Sequence, residues 1–446
     1  MEMEIVNDDS DADAIIVNTC GFVEDAKAES IEAIFEAAAL KGGEGGPKKV
    51  FVTGCLGQRY SDQLIEEIPE VDMVVGFENY GTLPSNIASA LGHTLPKDFQ
   101  VSMVPGAADP VLDDPVDRPV ERVQVGSSTV PFREEYARHR LTPQHTAYIR
   151  VAEGCDHKCT FCAIPGFRGK FRSKPWAALL EEVRHLAADG VREFNLIAED
   201  TNQYGMDRKD DKDLAKLLRE MGTIDGVEWI RILYAYPSYF SDDLIKAIAE
   251  VPQVCKYIDI PLQHISNMVL LSMNRPPRGS TEKLLHKLRD NIPGLVLRTT
   301  FISGFPGEGE AEHKELVDFC KSFQFERMGV FAYSEEDGTP AAGYENQIDM
   351  EIRQARRDEL MSLQQDIGIA FAESLVGKEL DVLIDVEDEE NGVLIGRTQY
   401  DGPDVDPHVF VQLPEDPDIS PAQVGEIRRC RVTSNFLFDL EAYPIA

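Results

Sequence analysis

Apolar and polar positions follow different periods along the chain and divide it into regions. In residues 1–95, the buried-strand patterns AIIVNTC and KKVFVTGC each end at a cysteine, and the helical pattern AKAESIEAIFEAAALK follows the first. Residues 141–370 alternate six strand-like runs with charged helical segments, which predicts a partial, parallel (β/α)6 barrel. Residues 373–446 alternate around Asn391-Gly392, which predicts a small antiparallel β domain. The chain is therefore expected to be an α/β protein.

The segment between the first two regions has a different texture. Residues 96–140 are rich in Pro, Asp and Arg and show little periodicity, as in AADPVLDDPVDRPVERV. Such composition is typical of a connecting segment. We predict a linker over 96–140.

Composition and charge narrow the class of protein. The 446 residues are 43% hydrophobic, yet no apolar run approaches the ~18 residues of a membrane span. The acidic start, MEMEIVNDDSDADA, lacks the pattern of a signal peptide. We expect a reduced, cytoplasmic protein without a membrane partner. The net charge of −35 indicates either a solvated surface suited to a saline cytoplasm or a basic macromolecular partner. A basic protein would suit such a surface better than RNA, whose phosphates it would repel.

Three cysteines lie within eight residues of the segment EGCDHKCTFCAIPGFRGKFRS. Cys155, Cys159 and Cys162 follow the first predicted barrel strand, and the carboxyl ends of barrel strands are where active sites lie. Structural zinc normally takes four protein ligands. Iron–sulfur clusters are also held by cysteine thiolates, and three thiolates leave one iron open to a substrate. A cluster is favoured over a zinc site, and both remain open on spacing alone.

The spacing Cys-x3-Cys-x2-Cys, with Phe161 before the last cysteine, closely resembles the radical S-adenosylmethionine (SAM) enzymes. The resemblance implies a 4Fe–4S cluster on Cys155, Cys159 and Cys162, whose fourth iron chelates SAM beside Phe161. It also implies that one electron from the cluster, supplied by an electron donor, splits SAM into methionine and a 5′-deoxyadenosyl radical. That radical would remove hydrogen from an unactivated C–H bond.

Cys20 and Cys55 each lie just past a predicted parallel strand. Because neighbouring parallel strands align their carboxyl ends, both thiols are expected to face one crevice. Two small buried structural cysteines remain the alternative. The segments NTCGFVEDAKAES, VTGCLGQRY, RGKFRSKP and TTFISGFPGE resemble the radical SAM methylthiotransferases, and the resemblance runs through nearly the whole chain.

In that family, three cysteines of the amino-terminal domain hold an auxiliary 4Fe–4S cluster that supplies sulfur. The stretch that would carry the first of them has no counterpart here, so an amino-terminal truncation is expected. Cys20 and Cys55 would then lack their third partner and could not hold the auxiliary cluster normally. The family implies two uses of SAM: one methylates the cluster sulfur, and the other generates the radical.

Other candidate positions lie at predicted strand ends. With the family resemblance, the candidates for SAM contacts are Glu199, Gln263, Ser303, Gly304 and Phe305. The alternatives are a Gly-Pro turn for the last three, and capping or loop hydrogen bonds for Glu199, Asp200, Gln263 and His264. A local basic cluster is either a solvated loop or a binding site for a carboxylate: Arg168, Lys170, Arg172 and Lys174. Three further cysteines are expected to be buried and structural: Cys255, Cys320 and Cys430.

The branches of the family differ in their macromolecular substrate. One branch methylthiolates adenosines of transfer RNA, and another modifies the β-carbon of an aspartate on the twelfth small-subunit ribosomal protein. A carboxyl-terminal TRAM domain helps to recognise the substrate. Here residues 371–446 contain 17 acidic and five basic residues, a net charge of −12, which would repel transfer RNA and attract a basic protein.

We therefore expect that ribosomal protein, free or in the small ribosomal subunit, as the partner. A transfer RNA adenosine methylthiotransferase is the alternative enzyme. A non-catalytic zinc or cluster-binding adaptor to the ribosome is the alternative of a different class.

Overall fold

A computed structural model describes residues 5–6, 11–41, 46–93, 121–130, 132, 140–413 and 418–445. The chain forms two compact units. Unit 1 comprises Met1–Glu135, Gly154–Phe171 and Ser334–Ala342, and unit 2 comprises Tyr136–Glu153, Arg172–Tyr333 and Gly343–Ala446. Most of the predicted linker lies outside the described residues.

Unit 1 contains a parallel four-stranded sheet in the order β1-β2-β3-β4. Its strands are β1 (Ala14–Thr19), β2 (Lys49–Thr53), β3 (Met73–Val75) and β4 (Val123–Gln124). Its helices are α1 (Glu24–Leu40), α2 (Gly54–Glu67), α3 (Leu83–Ala90), a 3-10 turn at Phe77–Thr82, and α4 (Ile164–Arg168) within the triple-cysteine segment. The strands predicted before Cys20 and Cys55 are confirmed. The linker prediction missed β4, which lies inside 96–140 and pairs with β3.

The core of unit 1 forms where α1 and α2 cover β2 and β3. Ile34, Val52, Leu56 and Val74 are buried together. The run KVFVT is almost continuously apolar because a parallel strand covered on both faces has no solvent side.

Unit 2 contains a parallel six-stranded sheet in the order β12-β11-β10-β9-β8-β5. Its strands are β5 (Thr146–Arg150), β8 (Glu193–Ile197), β9 (Trp229–Ile232), β10 (Val254–Asp259), β11 (Val296–Ser303) and β12 (Arg327–Ala332). A short antiparallel pair, β6 (Ala152–Glu153) and β7 (Arg172–Ser173), was not predicted. All six predicted barrel strands are confirmed.

Helices alternate with these strands along the chain or follow the last of them. They are α5 (Trp176–Ala188), α6 (Leu214–Met221), α7 (Asp242–Glu250), α8 (Asn267–Ser272), α9 (Arg278–Asn291), α10 (Glu310–Phe323) and α11 (Met350–Leu375), with 3-10 turns at Thr201–Gln203 and Pro340–Gly343. The side chain of Ser241 caps α7 by accepting a hydrogen bond from the Leu244 amide at 3.1 Å, as expected for a residue that precedes an apolar helical pattern.

Residues after α11 form a closed five-stranded barrel, in the order β13-β14-β15-β17-β16. Its strands are β13 (Glu379–Asp388), β14 (Val393–Thr398), β15 (Val409–Val411), β16 (Ile427–Phe436) and β17 (Asp439–Pro444). The predicted small β domain and its hairpin are confirmed, since β13 and β14 pair antiparallel around Asn391-Gly392. Four of the five strand pairs of this barrel are antiparallel, and β15 and β17 pair parallel.

This small barrel packs on the amino-terminal ends of the sheet strands through a buried ionic network. Glu193, the first residue of β8, lies 2.8 Å from Arg397 of β14 and 3.0 Å from Arg231 of β9. Arg397 also contacts Asp385 of β13 at 2.8 Å. Burial raises the pKa of Glu193, but the two guanidinium groups lower it by more, which leaves a pKa of about 2. The network thus fixes the small barrel on the end of the sheet opposite to the strands' carboxyl ends.

Within the described residues, no helix is both long enough and apolar enough to span a membrane.

Candidate functional site

The triple-cysteine segment is a loop whose two ends are held together. The chain enters it from β6 and leaves it into β7. Inside the loop, the Cys155 amide donates to the carbonyl oxygen of Gly169 at 3.1 Å, and the Cys162 amide donates to that of Cys159 at 3.2 Å. Gly154 has φ +74°, and a Cβ there would lie 2.2 Å from the carbonyl oxygen of Lys170. Only glycine fits where the two ends of the loop approach each other so closely.

The donors in this loop fit an iron–sulfur cluster with one open site. Cys155, Cys159 and Cys162 are half-buried, and Phe161 is partly buried beside the last of them. Among the described residues, no three His, Cys, Asp or Glu side chains are grouped as ligands of a single metal ion. An iron–sulfur cluster needs a wider spacing of its ligands. Each cysteine thiolate binds a different iron, so the thiolates lie farther apart than they do around a single metal ion.

Cys20 lies in the loop after β1 and Cys55 in the first turn of α2, and these two segments of unit 1 pack against each other. A Cβ on Gly21 would lie 2.8 Å from the Leu56 amide nitrogen and 2.9 Å from the carbonyl carbon of Cys55. The residues directly before the two cysteines, Thr19 and Gly54, form a parallel bridge. Cys20 is exposed and Cys55 is half-buried. The loops are therefore neighbours, as the parallel-strand argument expects, and ligation by these thiols stays a prediction.

The segment GFPGE follows β11 and forms a turn held by its own glutamate. Glu308 is buried, and its Oε2 accepts hydrogen bonds from the amides of Gly304 at 2.7 Å and Phe305 at 3.3 Å. Burial raises the pKa of Glu308, but His264, His313 and Arg356 lower it more, leaving a pKa of about 2. The carboxylate is thus ionised throughout the physiological range and holds this turn at the carboxyl end of a barrel strand.

The other predicted SAM neighbours on this side of the sheet have protein partners. The Ser303 hydroxyl donates to the carbonyl oxygen of Arg353 at 2.9 Å. Phe305 is fully buried, with its ring edge-to-face against Tyr333 at 5.3 Å and Tyr344 at 6.2 Å. A Cβ on Gly304, where φ is +70°, would lie 2.4 Å from Arg353 Cγ. These residues shape the turn, and their contact with SAM stays a prediction.

Glu199 and Gln263 lie beyond the strand ends. Glu199 is partly exposed two residues after β8, and its neighbour Asp200 is buried with Oδ1 3.4 Å from the Tyr236 amide. Gln263 has φ +74° and bridges to Phe301 in parallel register. A non-glycine residue in this conformation is uncommon and occurs disproportionately at functional sites. Both stay predicted SAM contacts.

Three residues of the basic cluster predicted after the cysteines have partners within the fold. Arg168 lies over the ring of Phe77 at 4.7 Å in unit 1. In unit 2, Arg172 contacts Glu153 at 2.6 Å, and the buried Lys174 pairs with Glu182. The structure therefore explains Arg172 and Lys174 by ion pairs within the fold.

His264 and the three remaining cysteines are buried. His264 accepts the Ser266 amide through Nδ1 at 3.0 Å, which matches the prediction of a loop histidine. Burial raises the pKa of Cys255 to about 11 and the pKa values of Cys320 and Cys430 to about 12, so all three thiols stay protonated. Their predicted burial is confirmed.

Most basic residues of the small barrel are paired with carboxylates. Arg431 contacts Glu379 at 2.6 Å, and Arg429 contacts Asp381 at 3.2 Å. Arg428 pairs with Glu426, and Arg397 lies in the buried ionic network. Four of the five basic side chains of residues 371–446 therefore lie in ion pairs. The described part of this domain therefore presents paired charges on β16 rather than a basic face.

Comparison with known proteins identifies three family segments. Residues 1–76 match the uncharacterized protein family UPF0004, residues 149–320 the radical SAM superfamily, and residues 376–445 the TRAM domain. A curated relative from Desulforamulus reducens, named ribosomal protein uS12 methylthiotransferase RimO, is 43% identical over 98% of this chain and 92% of its own length. The chain belongs to the RimO family. A RimO from Geobacter sulfurreducens is 39% identical over 98% of this chain and 91% of its own length.

Solved structures agree with this family at the level of the fold. The radical SAM methyltransferase TsrM from Kitasatospora setae, solved with tryptophan substrate and a SAM analogue bound, has a TM-score of 0.52 at 16% identity. It covers 85% of this chain and 68% of TsrM. This chain thus shares its fold with a radical SAM enzyme.

The charged residues that hold these loops in place could not be recognised from the sequence. Glu308 was visible within GFPGE but had no assigned role. Arg59 and Glu336 carried no signal at all, because nothing in either local sequence shows that residues 277 positions apart meet at 2.9 Å.

Proposed function

We propose that this protein adds a methylthio group to the β-carbon of an aspartate of ribosomal protein uS12. The observation that carries the proposal is the similarity to curated RimO proteins over 98% of the chain, with all three family segments present. The triple-cysteine loop supplies the part of the chemistry that needs a radical, because no acid, base or ordinary nucleophile activates such a C–H bond.

Cys155, Cys159 and Cys162 are the residues that would hold the 4Fe–4S cluster. When bound, the cluster supplies the electron that cleaves SAM and so generates the radical that takes hydrogen from the substrate. Gly304 and Phe305, whose amides are held by Glu308, remain the predicted backbone contacts of SAM. Cys20 and Cys55 would supply two of the three thiolates with which the family holds an auxiliary, sulfur-supplying cluster, and an electron donor would reduce the enzyme.

The charges of the TRAM domain support a protein substrate over transfer RNA. Binding to RNA depends on Lys and Arg groups that neutralise phosphates. Here the arginines of β16 already face carboxylates, and residues 371–446 have a net charge of −12. A basic ribosomal protein would be attracted to the same surface.

Isotope transfer tests the proposal directly. Ribosomal protein uS12 with deuterium on its aspartate β-carbons would be incubated anaerobically with the reconstituted enzyme, SAM, sulfide and a reductant. We expect deuterium in 5′-deoxyadenosine and a methylthio group on one uS12 aspartate. The Cys159→Ser variant should give neither product, whereas Cys255→Ser should give both. Unlabelled 5′-deoxyadenosine with unmodified uS12 would contradict the proposed substrate.

A further inference from the structure

Arg59 lies at the meeting point of the segments that carry the five predicted cluster cysteines. It is four residues after Cys55 on α2, in a helix whose next residue, Tyr60, leaves helical geometry with φ −130° and ψ 33°. Its Nη1 donates to the carbonyl oxygen of Gly21, the residue after Cys20, at 2.9 Å. Its guanidinium also lies 5.9 Å from the ring centre of Phe167, in the triple-cysteine segment.

A third segment of unit 1 completes the set. We call Ser334–Ala342 the strap. Glu336 of the strap is 2% exposed, and its Oε2 contacts Arg59 Nη1 at 2.9 Å and Lys27 Nζ at 3.2 Å. Arg59 Nη2 donates to the carbonyl oxygen of Asp337 at 2.6 Å, and the Ala341 amide donates to that of Thr160 at 2.9 Å. The strap therefore touches both the triple-cysteine loop and α2, the helix that contains Cys55.

The chemistry of arginine explains why one side chain can join these segments. Its planar fork offers five donors in fixed directions, so a nearly buried guanidinium can bind a carboxylate and two carbonyl oxygens at once. Lysine at the same position would keep the charge, but its donors lie on a single nitrogen and cannot reproduce the two separate nitrogens with which Arg59 reaches these acceptors. Lys27, which approaches the same Glu336 oxygen, has its pKa lowered by burial but raised more by Glu24 and Glu336, so it stays charged.

We propose that Arg59, clamped by Glu336, is a positioning residue that sets the spacing between the Cys20/Cys55 loops and the triple-cysteine loop. This role rests on the proposed function. There, sulfur delivered from the Cys20/Cys55 side must reach the substrate carbon that is activated beside the triple-cysteine loop. A displacement of about 1 Å at such a meeting point is enough to lower a rate substantially. Arg59 acts through the two loops and does not itself touch the reacting atoms.

The first test needs neither clusters nor substrate. Metal-free protein would be treated with a short bis-maleimide, and cross-links between the peptide of Cys20 or Cys55 and that of Cys155–Cys162 would be measured by mass spectrometry. We expect the cross-link yield to fall at least fivefold in Arg59→Lys and in Glu336→Gln. The matched control is Arg122→Lys, since Arg122 also binds carbonyl oxygens of unit 1, those of Pro69 and Val71, but contacts no cysteine loop. Unchanged yields in Arg59→Lys would overturn the proposal.

The second test separates positioning from loss of structure. In the reconstituted enzyme, Arg59→Lys should form 5′-deoxyadenosine within twofold of the wild-type rate but give at least tenfold less methylthio product per deoxyadenosine. A parallel fall in both products, or a normal ratio, would overturn the positioning role. If wild-type enzyme modifies no uS12, the proposed function fails, and the cross-linking result still decides whether Arg59 sets the spacing.

Discussion

Glu308 Oε2 lies 2.7 Å from the amide nitrogen of Gly304, so a buried carboxylate closes the turn that follows the fifth barrel strand. The same carboxylate binds Arg356 Nη1 of α11 through Oε1 at 3.2 Å. One side chain thus ties the turn at a strand's carboxyl end to the long helix behind it. A turn held in this way needs no bound ligand to keep its shape.

Replacing Glu308 with glutamine should therefore destabilise the fold. The amide keeps the size of the side chain but loses the charge that strengthens its hydrogen bonds, so we expect a loss of about 1.5–3 kcal/mol in the free energy of unfolding. Urea titration measures it. Glu310→Gln is the matched control, because Glu310 also binds Arg356, at 2.7 Å, but its side chain is 89% exposed. Its loss should stay below about 1 kcal/mol, and equal losses in the two variants would contradict this account.

Gly304 should tolerate a methyl group less well than Gly307. Both have positive φ, +70° and +86°, so alanine strains the backbone at either position. At Gly304 the new Cβ would also lie 2.4 Å from Arg353 Cγ, whereas at Gly307 nothing lies within 4 Å. We expect Gly304→Ala to cost about 1–3 kcal/mol more than Gly307→Ala in thermal or urea unfolding. Similar costs would show that Arg353 moves aside freely.

The buried network under the sheet should be sensitive to a neutral substitution. Glu193→Gln removes the carboxylate charge that both Arg231 and Arg397 face. Breaking a buried ion pair in this way should lower the free energy of unfolding by about 3–5 kcal/mol. Asp381→Asn, which removes a half-exposed partner of Arg429, should cost about 1 kcal/mol or less. Because the folded pKa of Glu193 is about 2, its contribution should be complete above its unfolded pKa and disappear as the pH falls through about 2.

His313 should give a pH dependence of the opposite sign. Burial lowers the pKa of His313, but hydrogen bonding to Glu308 and Glu359 raises it more, so the net shift is upward from 6.5. A raised folded pKa adds stability that is complete below the unfolded pKa and is lost as the pH rises through the folded value. The stability difference between wild type and His313→Asn, measured by urea unfolding across pH 5–9, should therefore shrink as the pH rises. A difference that grows with pH would contradict this assignment.

The strands and the cysteine loop could be predicted because their signals are local. The β-branched and apolar residues of VLRTTFIS predict a strand. Three cysteines within eight residues predict a metal or cluster site. The ties between distant segments could not be predicted. Glu193 and Arg397 lie 204 positions apart, and Arg59 and Glu336 lie 277 apart, so only the folded chain reveals these pairs. The two-residue strand β4 was missed because its pattern is too short to show periodicity.

A single competition experiment distinguishes ribosomal protein uS12 from transfer RNA as the substrate. Anaerobically reconstituted protein, SAM, sulfide and a reductant would be mixed with equal amounts of ribosomal protein uS12 and unmodified transfer RNA, and both would be analysed by mass spectrometry. A methylthio group on one uS12 aspartate, with the transfer RNA unchanged, is the predicted result. A methylthio group on transfer RNA adenosine, with uS12 unchanged, would contradict it.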